Sequence, residues 1–166
     1  MASGKVHDTI NLLLGGFLSG AVFMSLDSFL GAIFFLLGWL FSTFIFGPDT
    51  DIVPGKRNWV LKFFLTPYSW IFKHRGISHH ILFGTLTRVL YLIVLGAVIV
   101  SIINSFFYPE LGLGNYGKAL LSFFLDFDLD RPLYKGLTWF YIGLFLADAT
   151  HVLVDHFSTF LKKSSR

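Results

Sequence analysis

The sequence predicts an all-α membrane protein, a bundle of four transmembrane helices with an amphipathic helix at the interface. Three observations carry this. Of 166 residues, 54% are apolar and only 14% are charged, against about 25% charged in a soluble domain. The chain divides into four apolar runs, each near the ~20 residues that cross the hydrocarbon core of a bilayer. Nine of the 13 Lys and Arg residues fall in segments that such a topology places on one side. A disordered chain is excluded by high hydrophobicity with a net charge of only +3. The absence of cysteine removes disulfides, thiolate metal sites and Cys nucleophiles. The basic residues are too scattered for a nucleic-acid face, so no nucleic-acid partner is expected.

The first span covers residues 9–26. No small-residue cleavage site follows it, so it reads as a retained span and not as a signal peptide. Asp27 and Ser28 alone separate it from the second span, 29–46, which makes a tight hairpin; Gly47-Pro48 ends that run. Residues 57–73 are basic and aromatic, with Trp59, Tyr68 and Trp70 among lysines. They suit a helix in the headgroup region, and Pro67 in so short a segment argues against a crossing. The third span, 77–107, contains Arg88 and closes at Tyr108-Pro109. Residues 108–135 read as a loop with a short interfacial piece. The fourth span, 133–161, carries Asp148, His151 and Asp155. Residues 1–166 form one domain without internal repeats. Lys5, Lys56, Arg57, Lys62, Lys73, Arg75, Lys162, Lys163 and Arg166 share a side, and Lys118, Arg131 and Lys135 lie opposite. The positive-inside rule makes the first side cytoplasmic, with both termini there.

All six histidines fall on that cytoplasmic side, as do Asp8, Asp49, Asp51, Asp148 and Asp155. Asp148, His151 and Asp155, at i, i+3 and i+7, share one helix face within about 60°. Asp49-Thr50-Asp51 closes the second span, and an extended D-x-D points both carboxylates the same way. His74 to His79 form a turn entering a helix, with Gly76 for the turn and Ser78 as a cap. Packing the span ends side by side brings Asp49, Asp51, His79, His151 and Asp155 into one cluster, joined by His7, while His80 and His156 face away. Imidazole and carboxylate without thiolate suit Zn²⁺, Mn²⁺ or Fe²⁺. Structural alternatives stand beside this: Asp148 at the depth of Arg88 forms an ion pair, and a D-x-D caps a loop. Asp126, Asp128 and Asp130 lack the Gly and distal Glu of an EF-hand loop and read as a solvated or interfacial acidic loop. Gly15-Gly16 and Gly20 read as small helix-packing residues.

The ordered set His7-Asp8, Gly47-Pro-Asp-x-Asp51, His74-Arg-Gly-x-Ser-His79 and His151-x-x-x-Asp155 resembles the YdjM-like predicted membrane-bound metal-dependent hydrolases. Within that group the chain is most similar to uncharacterised metal-binding membrane proteins common in cyanobacteria, over nearly its whole length. Ser78 stands where that group usually has Thr. The resemblance implies His7, Asp49, Asp51, His74, His79, His151 and Asp155 as metal ligands, Asp8 and Asp148 being less clearly carried over. Seven candidates exceed the three or four of one zinc, so one or two ions are expected, zinc first. The function implied is metal-dependent hydrolysis of a phosphoester or lipid head group at the cytoplasmic face, with Asp49 and Arg75 as candidate catalytic residues and Arg75 holding phosphate. The alternative is a non-catalytic subunit or assembly factor whose ion staples four helix ends; a metal or proton transporter would need polar residues through the outer half of the spans, where few occur. Expected partners are membrane lipids and, for the alternative, other membrane subunits. The expected location is a prokaryotic inner membrane, or a thylakoid in a cyanobacterium.

Overall fold

The structure is a computed structural model that describes residues 4–26, 28–48, 59–72, 80–107 and 113–164. All regular structure among these residues is helical: α1 (Gly4–Leu26), α2 (Phe29–Phe44), α3 (Trp59–Ile71), α4 (Ile81–Phe107), α5 (Leu113–Leu125) and α6 (Pro132–Ser164). Ser28 starts α2, its hydroxyl accepting the Gly31 N–H at 3.2 Å. The helix stops at Phe44, two residues short of the apolar run: the Ile45 N–H makes the last regular bond to the Phe41 carbonyl, and the Phe46 N–H turns back to that same carbonyl and not to the next one. Pro48 also disfavours helical geometry at Gly47. The loop with a short interfacial piece expected at 108–135 contains a 13-residue helix, α5. Past it, Asp128 spends one carboxylate oxygen on the Asp130 N–H at 3.0 Å, a turn that reverses the chain. Pro132 then opens α6 at the position where its missing N–H costs nothing.

Among the described residues three helices are long and apolar enough to cross a membrane: α1, α4 and α6. The apolar α2 has 16 residues, about 24 Å at 1.5 Å per residue, short of a ~30 Å hydrocarbon core. The four-span expectation is thus met by length in three helices, with α2 cut short at its Gly-Pro end.

The closest packing joins α2 to α6, and it depends on glycine. A Cβ on Gly38 would overlap the Phe140 carbonyl, and one on Gly143 would overlap the Phe35 carbonyl. The two helices therefore exchange glycines and touch backbone to backbone. Above this crossing Gly31 meets the Trp139 ring and Gly136 meets the Phe34 ring, and below it Ser42 meets Asp148. The contacts advance in the same sense along both helices, so α2 and α6 run parallel. Antiparallel to α2, α1 lays Gly15 and the Asn11 carbonyl against Trp39, whose indole N–H donates to that carbonyl at 2.7 Å. The start of α1, the end of α2 and the end of α6 therefore lie at one end of the bundle.

Two apolar clusters form the core. Phe35, Trp39 and Ala147, with Leu18, Val22, Trp139 and Ile142, tie α1, α2 and α6 together. Phe46, Leu65 and Tyr68, with Phe72, Tyr91 and others, fasten α3 to α4 and to the end of α2. The Tyr91 hydroxyl donates to the Phe64 carbonyl at 2.5 Å, and the Tyr68 and Thr87 hydroxyls lie 3.2 Å apart. Outside this core the surface stays apolar, with Phe17, Met24 and Phe106 at 73%, 85% and 80% exposure.

Candidate metal centre

The inner face of α6 carries the polar groups. Asp148 is buried where α2, α4 and α6 meet, and it accepts three hydrogen bonds. Ser42 donates to Oδ1 at 2.5 Å; Thr85 and the Arg88 Nη2 donate to Oδ2, each at 2.5 Å. Arg88 and Asp148 are each 1% exposed. The ion pair that depth alone suggested is therefore present, and it is a knot of four side chains from three helices. Ser42 and Thr85 were not singled out from the sequence. The signal for Thr85 was its position three residues before Arg88, on the same face of α4; Ser42 lies in an otherwise apolar stretch, where a hydroxyl asks for a partner. Among the described residues, Nε and Nη1 of Arg88 have no hydrogen-bond partner.

Along the same face of α6 the next polar residues are His151, half-buried, and Asp155, buried. A helix brings side chains four residues apart onto neighbouring turns, so the imidazole and the carboxylate are neighbours directed inward. The Asp155 main-chain carbonyl accepts bonds from the Ser158 and Thr159 hydroxyls at 3.0 and 2.8 Å. His156 is exposed, with Nδ1 2.8 Å from the Val152 carbonyl. His80 is exposed too and packs its ring on Phe83 at 5.1 Å. Both stand outside the inner face, in the orientation their register predicts.

Of the seven candidate ligands, His151 and Asp155 are thus placed together on one inner face. His7 belongs to α1, with its side chain outside the described residues. Asp49, Asp51, His74, Arg75 and His79 lie outside the described residues altogether. Among the described residues no three His, Asp or Glu side chains form a group that could hold an ion. The donor chemistry of His151 and Asp155, one nitrogen and one carboxylate, fits zinc, manganese or iron. Two donors fall short of the three or four that such an ion takes from protein.

The family model described as "Uncharacterized metal-binding protein (DUF2227)" matches residues 2–165. An uncharacterized protein of Aquifex aeolicus (strain VF5) is 36% identical over 137 residues, covering 78% of this chain and 92% of its own length. No solved structure matches significantly.

Proposed function

Because the chain belongs to the DUF2227 family of uncharacterized metal-binding proteins, we propose that it is an integral membrane protein of four crossings that binds one or two divalent ions at the shared end of its helices and hydrolyses a phosphoester or lipid head group there. The observation that carries the metal part is the inner face of α6. There Asp148 is fully engaged by Ser42, Thr85 and Arg88, and His151 and Asp155 follow it at the spacing of two ligands to one ion. His7, Asp49, Asp51, His74 and His79 complete the set in this reading. When bound, the ion supplies Lewis acidity and charge for phosphoryl oxygens. The chain's own contributions are Arg75, a guanidinium suited to holding a phosphate, and Asp49, which follows α2 in the sequence.

The membrane part is supported by the apolar outer surface and by three helices of spanning length. An ionisable pair as deep as Arg88–Asp148 is expensive in a membrane unless its members neutralise each other, and here they do. On this reading α3 is the interfacial helix, both termini are cytoplasmic, and zinc is the first metal to test.

Metal analysis of the protein purified in detergent tests the centre. Wild-type protein is expected to hold at least one equivalent of zinc, manganese or iron, and His151→Ala and Asp155→Asn to lose most of it while remaining helical by circular dichroism. Full metal in both variants overturns the assignment. Stoichiometric metal without turnover of any phosphoester would instead return the stapled, non-catalytic subunit.

A further inference from the structure

A second site lies away from the inner face of α6. Between the outer sides of α3 and α4 runs a groove of about 730 Å³, within the 300–1,000 Å³ range of small-molecule sites. Phe63, Pro67 and Trp70 form one wall, and Leu95, Val98 and Ile102 belong to the other. The spacing is helical on both sides, so each wall extends over two turns. Lys62 is the one charged residue among the described groups lining it. Thr66 also reaches the groove, but its hydroxyl is bonded to the Lys62 carbonyl at 2.5 Å.

These walls select their occupant by what they lack. A peptide seated here would bury backbone N–H and C=O groups against hydrocarbon with no partner, at several kcal/mol each. A hydrocarbon chain meets no such cost, and the lysine at the groove supplies a counter-charge for a phosphate. We propose that the groove holds an acyl chain of one anionic phospholipid, with its phosphate at Lys62. The proposal rests on the membrane placement argued above and is independent of the metal and of hydrolysis.

The test uses protein reconstituted in nanodiscs of equal phosphatidylglycerol and phosphatidylcholine, released into the gas phase and weighed with its retained lipid. Wild-type protein is expected to keep one lipid, with phosphatidylglycerol preferred about fivefold, the equivalent of the ~1 kcal/mol that one lysine contributes at an anionic surface. Lys62→Gln should keep a lipid and lose the preference. Val98→Trp, which fills the groove from α4, should lose retention of both lipids at unchanged helix content. Phosphatidylglycerol preference surviving in Lys62→Gln overturns the proposal, as does equal retention by Val98→Trp or no retained lipid in wild type. Carbonate extraction of cell membranes reports insertion separately. A chain that resists extraction yet shows no lipid selectivity refutes the groove alone, and a chain that is extracted refutes the membrane placement beneath it.

Discussion

The Arg88–Asp148 knot makes a quantitative prediction that separates orphaned charge from lost hydrogen bonding. Asp148 accepts three bonds, from Ser42, Thr85 and Arg88, with both ionised partners 1% exposed. Interhelical hydrogen bonds in a membrane protein average ~0.6 kcal/mol, so losing all three as ordinary bonds would cost roughly 2 kcal/mol. Removing one member of a buried ion pair costs more, about 3–5 kcal/mol, because the other charge is left uncompensated. Arg88→Met and Asp148→Leu are each expected to destabilise by that larger amount. In the double variant both charges leave together, and the Thr85 hydroxyl falls back on the Ile81 carbonyl, already 3.4 Å away. Its cost should be about 1–2 kcal/mol, so the two substitutions couple by ~3 kcal/mol or more, with the double variant the more stable than additivity allows. The assay is unfolding in mixed micelles of dodecyl maltoside and increasing sodium dodecyl sulfate, followed by far-ultraviolet circular dichroism. Single variants costing under ~2 kcal/mol, or costs additive within ~0.5 kcal/mol, would refute the placement of a charged pair in the interior.

Three further outcomes follow from the packing. Gly38→Ala and Gly143→Ala each put a methyl group into a facing carbonyl, so each should cost about 1–3 kcal/mol or more in the same unfolding assay, while Gly16→Ala, with nothing within 4 Å, should cost little; equal effects would remove the backbone-to-backbone crossing. Tyr91→Phe deletes the hydroxyl that holds the Phe64 carbonyl and should cost ~1 kcal/mol, with faster proteolysis at α3 than elsewhere; proteolysis unchanged at α3 would show that the aromatic cluster alone secures it. Single cysteines at Lys118 on α5 and Lys163 on α6, introduced into a chain with no native cysteine, should label from opposite sides of sealed vesicles, and labelling of both from one side would end the four-crossing topology.

Much of the architecture was legible because long apolar runs and their breaks impose simple rules on helices. Apolar run length marked α1, α4 and α6 within a few residues, and Asp27-Ser28 and Gly47-Pro48 marked the two ends of α2. Composition marked α3 through its aromatic residues and lysines. What stayed hidden was packing. The exchange of Gly38 and Gly143 between α2 and α6 depends on which face each helix turns inward, and a helix apolar on every side carries no periodicity to reveal that face. Gly15 shows the same limit: it packs on Trp39 while Gly16 beside it packs on nothing, although the two look alike in sequence. The helix α5 was foreseen only as a short interfacial piece, because glycines at 112, 114 and 117 and nearby aspartates read as loop. At the site, the 3–4 spacing on α6 was enough to put Asp148, His151 and Asp155 on one face, but it could not apportion them. Arg88, Ser42 and Thr85 claim Asp148, and that depends on contacts between helices 60, 106 and 63 residues apart in sequence.

The direction of packing bears on the proposed topology. Parallel neighbours that both cross a bilayer must be separated by an odd number of crossings. Between α2 and α6 lie α3, α4 and α5, and the 13-residue α3 and α5 rise only about 20 Å each, too little to cross. Among the described residues one helix of spanning length, α4, therefore intervenes. On the proposed four-crossing reading α2 traverses the bilayer in the direction of α6, as the parallel contact allows, with 16 residues that cover about 24 Å. The shortfall of ~6 Å against a 30 Å core is a mismatch that local thinning of the bilayer accommodates at a fraction of a kcal/mol per Å. It falls beside Gly47-Pro48, where α2 ends. On the proposed reading, thinning at that end would draw water and headgroups toward the level of the bundle where α6 carries Asp155, the end at which Asp49 and Asp51 follow α2 in the sequence. A short α2 thus has a functional consequence in this reading: it lowers the cost of placing charged ligands at the helix ends and gives a phosphate-bearing head group a path to them.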